Sequence, residues 1–227
     1  MRHAILPDPD VALGVECALP VAQGLFRDRD RRGRWTRGVA TVVAAALLAA
    51  GLWQFGQGVY IHAKAKLAQA LMQSAWARTL DGERAVKPWP WADTWPVARL
   101  LVPALEVDLF VLAGANGRAI AFGPGHAFGT SLPGETGNSV IGGHRDTHLA
   151  FLRDLAPGVE IIIERPDGAR RRYRVDWIRV LDKRDVWVLE SEGPTRLTLI
   201  TCYPFDALRA GGPLRYVVTA LALDGSS

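Results

Sequence analysis

The feature that most restricts this chain is a run of sixteen residues, 38 to 53, that carries no charge and opens Gly38-Val-Ala-Thr-Val-Val-Ala-Ala-Ala-Leu-Leu. It follows Arg27, Arg29, Arg31, Arg32, Arg34 and Arg37. A helix needs about 20 residues to cross the hydrocarbon core of a bilayer, and continuation through Phe55, Val59, Tyr60 and Ile61 supplies them. Trp53 and Tyr60 are expected as interfacial anchors. A buried core helix is the bland alternative. A cleaved leader is another, since Ala49-Ala50-Gly51 offers small residues, but its charged region would be unusually long. We read the segment as an uncleaved anchor. Lys64 and Lys66 are the basic residues close behind it, against six arginines ahead, so the positive-inside rule expects a cytoplasmic N terminus and an exported remainder.

Charge adds little beyond this. The chain has 227 residues and a formal net charge of +4, about half of it in the first 37 residues, so no basic face for nucleic acid is implied. Arg170-Arg171-Arg172 reads as a solvated hairpin end. Two cysteines, Cys17 and Cys202, exclude a disulfide-rich scaffold and an all-cysteine zinc site. On the expected topology they lie on opposite sides of the membrane and cannot pair. Cys202 is then either packed and inert or kept as a thiol for its chemistry.

The expected organisation is a cytoplasmic basic arm (1–37), a transmembrane anchor (38–61), a helical stalk with a Pro/Trp linker (62–96) and a catalytic domain (97–227). Helix continues past Tyr60 to about Arg84 and is broken by the prolines of 88–96. Trp89, Trp91 and Trp95 are expected to pack the linker onto the domain rather than to form a membrane-surface belt. Beyond Val97, short apolar runs separated by Gly, Pro, Asn and Asp give an all-β rhythm. Strands are predicted at 97–102, 107–113, 118–122, 138–143, 159–164, 171–181, 195–202 and 214–222, with a helical turn within 147–155. A closed or partly closed barrel is expected.

Three residues of the domain gather into one chemistry. Cys202 ends one apolar run and Arg215 opens the next. If these runs pair antiparallel, the two Cα atoms stand on the order of 5 Å apart at one end of the ladder. His144 ends another short strand, Ser139-Val-Ile-Gly-Gly143. A thiolate attacks a carbonyl, an imidazole manages the proton and a fixed cation steadies the oxyanion, which is covalent acyl transfer. Spacing alone carries this weakly. His144, Asp146 and His148 alternate like metal ligands, but three or four ligands at a known spacing are wanting, so no metal is expected. Asp146 is expected to orient a loop or His144. His126, after Gly123-Pro-Gly125, either approaches the site or caps a loop. Leu132-Pro-Gly-Glu-Thr-Gly137 reads as a loop, and Ser139 lacks a G-x-S-x-G context.

Local signatures sharpen the picture. Thr198-Leu-Ile-Thr-Cys202 resembles the TLxTC motif of the sortases, Gly143-His-Arg-Asp146 their histidine segment, and Leu214-Arg215 their arginine strand, thirteen residues beyond the cysteine. Pro88-Trp-Pro-Trp-Ala-Asp-Thr-Trp-Pro-Val-Ala98, Phe122-Gly-Pro-Gly-His126, Gly143-His-Arg-Asp-Thr-His148 and Thr201-Cys-Tyr-Pro-Phe-Asp206 resemble the class GN sortases of Gram-negative, often marine, bacteria. The resemblance implies an eight-stranded sortase-type β-barrel, all-β, behind a membrane anchor. It implies a cysteine transpeptidase that cleaves an LPxTG-like signal near the C terminus of an exported protein through a thioester on Cys202 and transfers the acyl group to an amine acceptor. His144 is then general acid and base, and Arg215 holds substrate carbonyls or the oxyanion. Thr201 and Tyr203 are expected to support substrate or oxyanion, with Asp146 and His126 behind them. No cofactor, metal or nucleic acid is implied, and the catalytic domain is expected in the periplasm. The competing readings are a membrane-tethered cysteine endopeptidase, in which water resolves the thioester, and a noncatalytic exported binding module.

Overall fold

A computed structural model describes residues 23–207 and 211–223. Cys17 and the start of the basic arm lie outside the described residues. The chain divides into two compact units, residues 1–61 and 62–227. Helix α1 runs Gln23–Leu80, and its stretch Val39–Leu80 is long and apolar enough to cross a membrane. In the first unit Leu47, Leu48, Leu52, Trp53 and Phe55 are all exposed. Such a surface is stable in hydrocarbon and costly in water.

In the second unit the last turns of α1 are amphipathic, burying Met72, Ala75, Trp76 and Thr79, with Trp76 against Phe110 at 6.3 Å between ring centroids. This part of the helix is packed rather than a free spacer. The linker behind it is seated by Trp89, edge-on to Phe122 at 5.0 Å, and by Thr94, whose hydroxyl donates to Ala113 O at 2.8 Å. Trp91 departs from the expected packing and is 82% exposed.

Eight strands follow: β1 (Pro96–Val102), β2 (Val107–Ala113), β3 (Gly125–His126), β4 (Asn138–Gly142), β5 (Glu160–Glu164), β6 (Arg170–Asp182), β7 (Arg196–Tyr203) and β8 (Leu214–Ala222). They close a barrel in the order β1-β2-β3-β4-β7-β8-β6-β5, so no edge is left unpaired. The pairs β2·β3 and β4·β7 are parallel and the rest antiparallel, so β1, β4, β6 and β7 run one way and the others the opposite way. Strand alternation builds the interior. In β1, Ala98, Leu100 and Val102 are buried, and they meet Val111, Ile141, Ile161, Ile163, Leu197, Leu199 and Val218 in one core. A short 3₁₀ helix, Ala150–Asp154, adds Leu152 to it, within the predicted helical turn.

One predicted strand is corrected. Residues 118–122 form turns, because the Asn116 side-chain carbonyl accepts from the amides of Arg118 (3.2 Å) and Ala119 (3.0 Å) and starts a helical bend instead. The third strand lies later, at Gly125. A Cβ there would stand 2.2 Å from Gly114 O, so only glycine lets the two segments approach.

Candidate functional site

The site is assembled by three neighbouring strands. β4 and β7 pair in register Asn138↔Arg196, Val140↔Thr198 and Gly142↔Ile200; β7 and β8 pair Thr198↔Thr219, Ile200↔Val217 and Cys202↔Arg215. Alternation sends Leu197, Leu199, Val218 and Ala220 into the core, so Ile200 and Cys202 with Val217 and Arg215 lie on the outer face. The expected antiparallel pairing is present and sets Cys202 directly opposite Arg215. The β4–β7 ladder is extended one step by Gly143 N, which donates to Ile200 O at 3.2 Å. His144 therefore follows β4 at the level where Cys202 follows Ile200.

These three residues retain capacity for a ligand. Cys202 is a half-buried free thiol, and His144 is exposed. Arg215 is half-buried, and among the described residues only its Nη1 is hydrogen-bonded, donating to Gly212 O at 2.8 Å and Leu214 O at 2.9 Å. Its guanidinium is thus held at the start of β8 with donors to spare.

Around them the supports are buried or half-buried. Thr201, 2% exposed, lies on the opposite face of β7 from Cys202 and donates its hydroxyl to Gly143 O at 2.8 Å. It ties the cysteine strand to the histidine segment rather than facing the reactive end. Tyr203 also faces away from Cys202, stacking on Tyr216 at 6.0 Å and meeting Phe205 edge-on at 6.3 Å. Phe205 in turn carries the Arg153 guanidinium over its ring at 5.1 Å. His148 is half-buried, and burial pushes its pKa below the ordinary histidine value, with the charge of nearby His144 lowering it further.

Two expected neighbours are not brought in. Asp146 is exposed, and no hydrogen bond among the described residues joins it to His144. His126 is buried on β3, with Nε2 at 2.9 Å from Ser131 O and 3.1 Å from Thr130 Oγ1, so it caps the following turn; burial depresses its pKa. It lines a cavity of about 550 Å³ with Pro96, Ala113, Thr130 and Arg165, and Cys202, His144 and Arg215 are not among its lining residues. Among the described residues no three His, Cys, Asp or Glu side chains cluster as metal ligands.

Sequence reasoning missed two contributors. Arg145, beside His144, is buried and donates Nη2 to Ala207 O at 2.6 Å, tying the histidine segment to the loop after Cys202. Asn138 is fully buried at the far end of the same strand face. An amide at the start of a short strand that goes on to Val140 and Ile141 was the available signal for it. Arg145 sits in a charged stretch that offers none.

Comparison with known proteins supplies the family. The sortase domain model matches residues 100–222, more than half of the chain. The chain belongs to the sortase family. Sortase D of Bacillus subtilis strain 168 is 28% identical over 120 residues, covering 52% of this chain and 60% of that protein's length. Sortase A from Corynebacterium diphtheriae is 26% identical with a TM-score of 0.54, covering 71% of this sortase and 84% of that chain. Clostridium perfringens sortase C, solved with the C-terminal cell wall sorting motif, shares the fold at 19% identity and a TM-score of 0.51, covering 71% and 90% of the two chains.

Proposed function

We propose that this sortase is a membrane-anchored cysteine transpeptidase of class GN. It acts on an exported protein with an LPxTG-like C-terminal signal and hands the acyl group to an amine acceptor. The observation that carries the reading is the Cys202↔Arg215 rung, on the outer face of the barrel with His144 at the adjoining strand end. A second support is that sortase C of Clostridium perfringens was solved with a sorting motif.

In this mechanism the Cys202 thiolate attacks the scissile carbonyl carbon, and Arg215 donors meet the charge that develops on its oxygen. As the C–N bond breaks, the His144 imidazolium gives its proton to the leaving amine, leaving a thioester. The incoming amine then loses a proton to His144 as it attacks, the C–S bond breaks and the thiolate returns. The six arginines ahead of residue 38 favour a cytoplasmic N terminus, with residues 38–61 as anchor in the inner membrane and the barrel in the periplasm.

The test is mass spectrometry of the protein with a library of LPxTG-like peptides, with and without added amines. A thioester on Cys202 that turns over to a new amide supports transpeptidation. Release of free carboxylate alone, with amine present, replaces it by hydrolysis. Absence of any adduct on a folded protein with a free thiol favours a binding module.

A further inference from the structure

The strand face that ends in Cys202 continues back along β7 through Ile200 and Thr198 to Arg196, and its far end is occupied by the segment between β6 and β7. Asn138 and Thr198, 0% and 1% exposed, are the means. Asn138 Nδ2 donates to Val188 O at 2.8 Å and to Glu190 O at 3.0 Å, while Thr198 Oγ1 donates to Asn138 Oδ1 at 2.8 Å. Both amide protons and the amide oxygen are therefore used, and two carbonyls some fifty residues away are fixed on either side of Leu189. Arg196, the rung partner of Asn138, adds bonds of 2.5 Å from Nη1 to Glu192 O and from Nη2 to Glu190 O.

What remains open lies between this segment and the thiol. Val140 is covered, whereas Gly142 and Ile200, nearer Cys202, are half-exposed. Beside Gly142 stands Ala115, whose Cβ is 3.8 Å from the position a Gly142 Cβ would take. The open floor is thus bordered by the residues after β2 and closed at its far end by residues 186–192, which carry the exposed apolar side chains of Val186, Trp187 and Leu189.

We propose that the Asn138–Thr198 pair is a latch that holds residues 186–192 as the end wall of the substrate groove, which makes Asn138 a positioning residue for peptide binding. The inference rests on the peptide acyl-transfer reading above. It separates from that reading because the latch acts on a backbone segment whose mobility is measurable without any substrate.

The experiment uses the full chain in detergent micelles and three variants. Asn138→Asp keeps the size and the acceptor for Thr198 but replaces two donors by a carboxylate facing two carbonyls. Asn138→Ser keeps one donor, and Thr198→Val removes one bond. Amide exchange across 186–192 is measured alongside acylation kinetics with the LPxTG-like peptide that the wild type accepts. The expected result for Asn138→Asp is exchange faster by about tenfold in 186–192, with 197–201 unchanged, and a KM raised about tenfold at a kcat within about twofold of wild type. The other two variants are expected between it and the wild type. If Asn138→Asp fails to fold, the Thr198→Val and Asn138→Ser pair decides the same question. Unchanged exchange overturns the latch, and a loss confined to kcat overturns its role in binding. Should the wild type acylate no peptide, the functional reading fails and the binding role with it, while the exchange result still decides whether the latch exists.

Discussion

The two ends of the β4–β7–β8 face are built in opposite ways. At Asn138 and Thr198 the polar groups are buried and every hydrogen-bonding position of the amide is filled. At Cys202, His144 and Arg215 the groups are half-exposed or exposed, and Arg215 spends only Nη1 on the described protein. Saturated buried polar groups rigidify, because breaking one leaves an unpaired partner costing about 1–3 kcal/mol. Groups with unused donors bind or react. A single alternation therefore carries a structural end and a reactive end, and substitutions at the two should separate stability from turnover.

The sharpest break is Cys202→Ala. Removal of the nucleophile is expected to lower acylation by at least about 10⁴-fold, with the melting temperature unchanged because the side chain is small and half-exposed. Residual processing of the same peptide at the wild-type rate would sink the mechanism. His144→Ala comes next, with an expected loss of about 10³-fold from removing the proton donor to the leaving amine. Arg215→Met follows at about 10²-fold, the scale of losing one oxyanion donor. Single-turnover acylation of each variant measures all three, and an Arg215→Met that loses stability rather than rate would move that residue to the structural end.

The adjoining glycines sharpen the contrast within two residues. A Cβ on Gly143 would stand 2.9 Å from Leu149 Cγ and 3.5 Å from Pro124 Cα, while one on Gly142 meets nothing closer than 3.8 Å. Gly143→Ala is expected to destabilise by about 1–3 kcal/mol through overpacking and to lower kcat by displacing His144. Gly142→Ala is expected to leave stability unchanged and to raise KM, since its methyl stands on the groove floor. Denaturant unfolding paired with steady-state kinetics distinguishes them, and equal effects at both positions would contradict the assigned faces.

The same contrast governs what the sequence disclosed. Residues at the reactive end were legible because their chemistry requires particular types in a local signature: Thr198-Leu-Ile-Thr-Cys202, Gly143-His144 and Leu214-Arg215. The barrel was legible where strands alternate, as in Tyr173 and Val175 of β6. Strand β3 was not, because Asn116 captures two amides and turns an apolar stretch into a bend, while the real strand begins at a glycine with no pattern of its own. Asn138 and Arg145 were missed for another reason. Asn138 Nδ2 and Arg145 Nη2 donate to backbone carbonyls, at Val188, Glu190 and Ala207, and a carbonyl leaves no trace in a residue's identity. Thr201 and Tyr203 were noticed for adjacency to Cys202, but alternation turns both to the other face.

Of the two histidines His144 and His126, the second gives the smallest expected effect. His126 is 3% exposed and burial holds its pKa below the ordinary value, as it does for half-buried His148. Below a pH of about 6.5 the unfolded chain binds protons that the folded state refuses, so stability is expected to be full above that value and to decline as pH falls. His126→Asn removes one of these groups while keeping a polar side chain beside Ser131 O. The acid decline of its unfolding free energy should be shallower than in the wild type, with acylation near neutral pH little changed. His144→Asn is expected to lower turnover by about 10³-fold, as His144→Ala does, by removing the proton donor to the leaving amine. Chemical denaturation at a series of pH values, with acylation kinetics measured beside it, reads both, and a His126 variant that loses turnover at neutral pH would return that residue to the reactive end of the barrel.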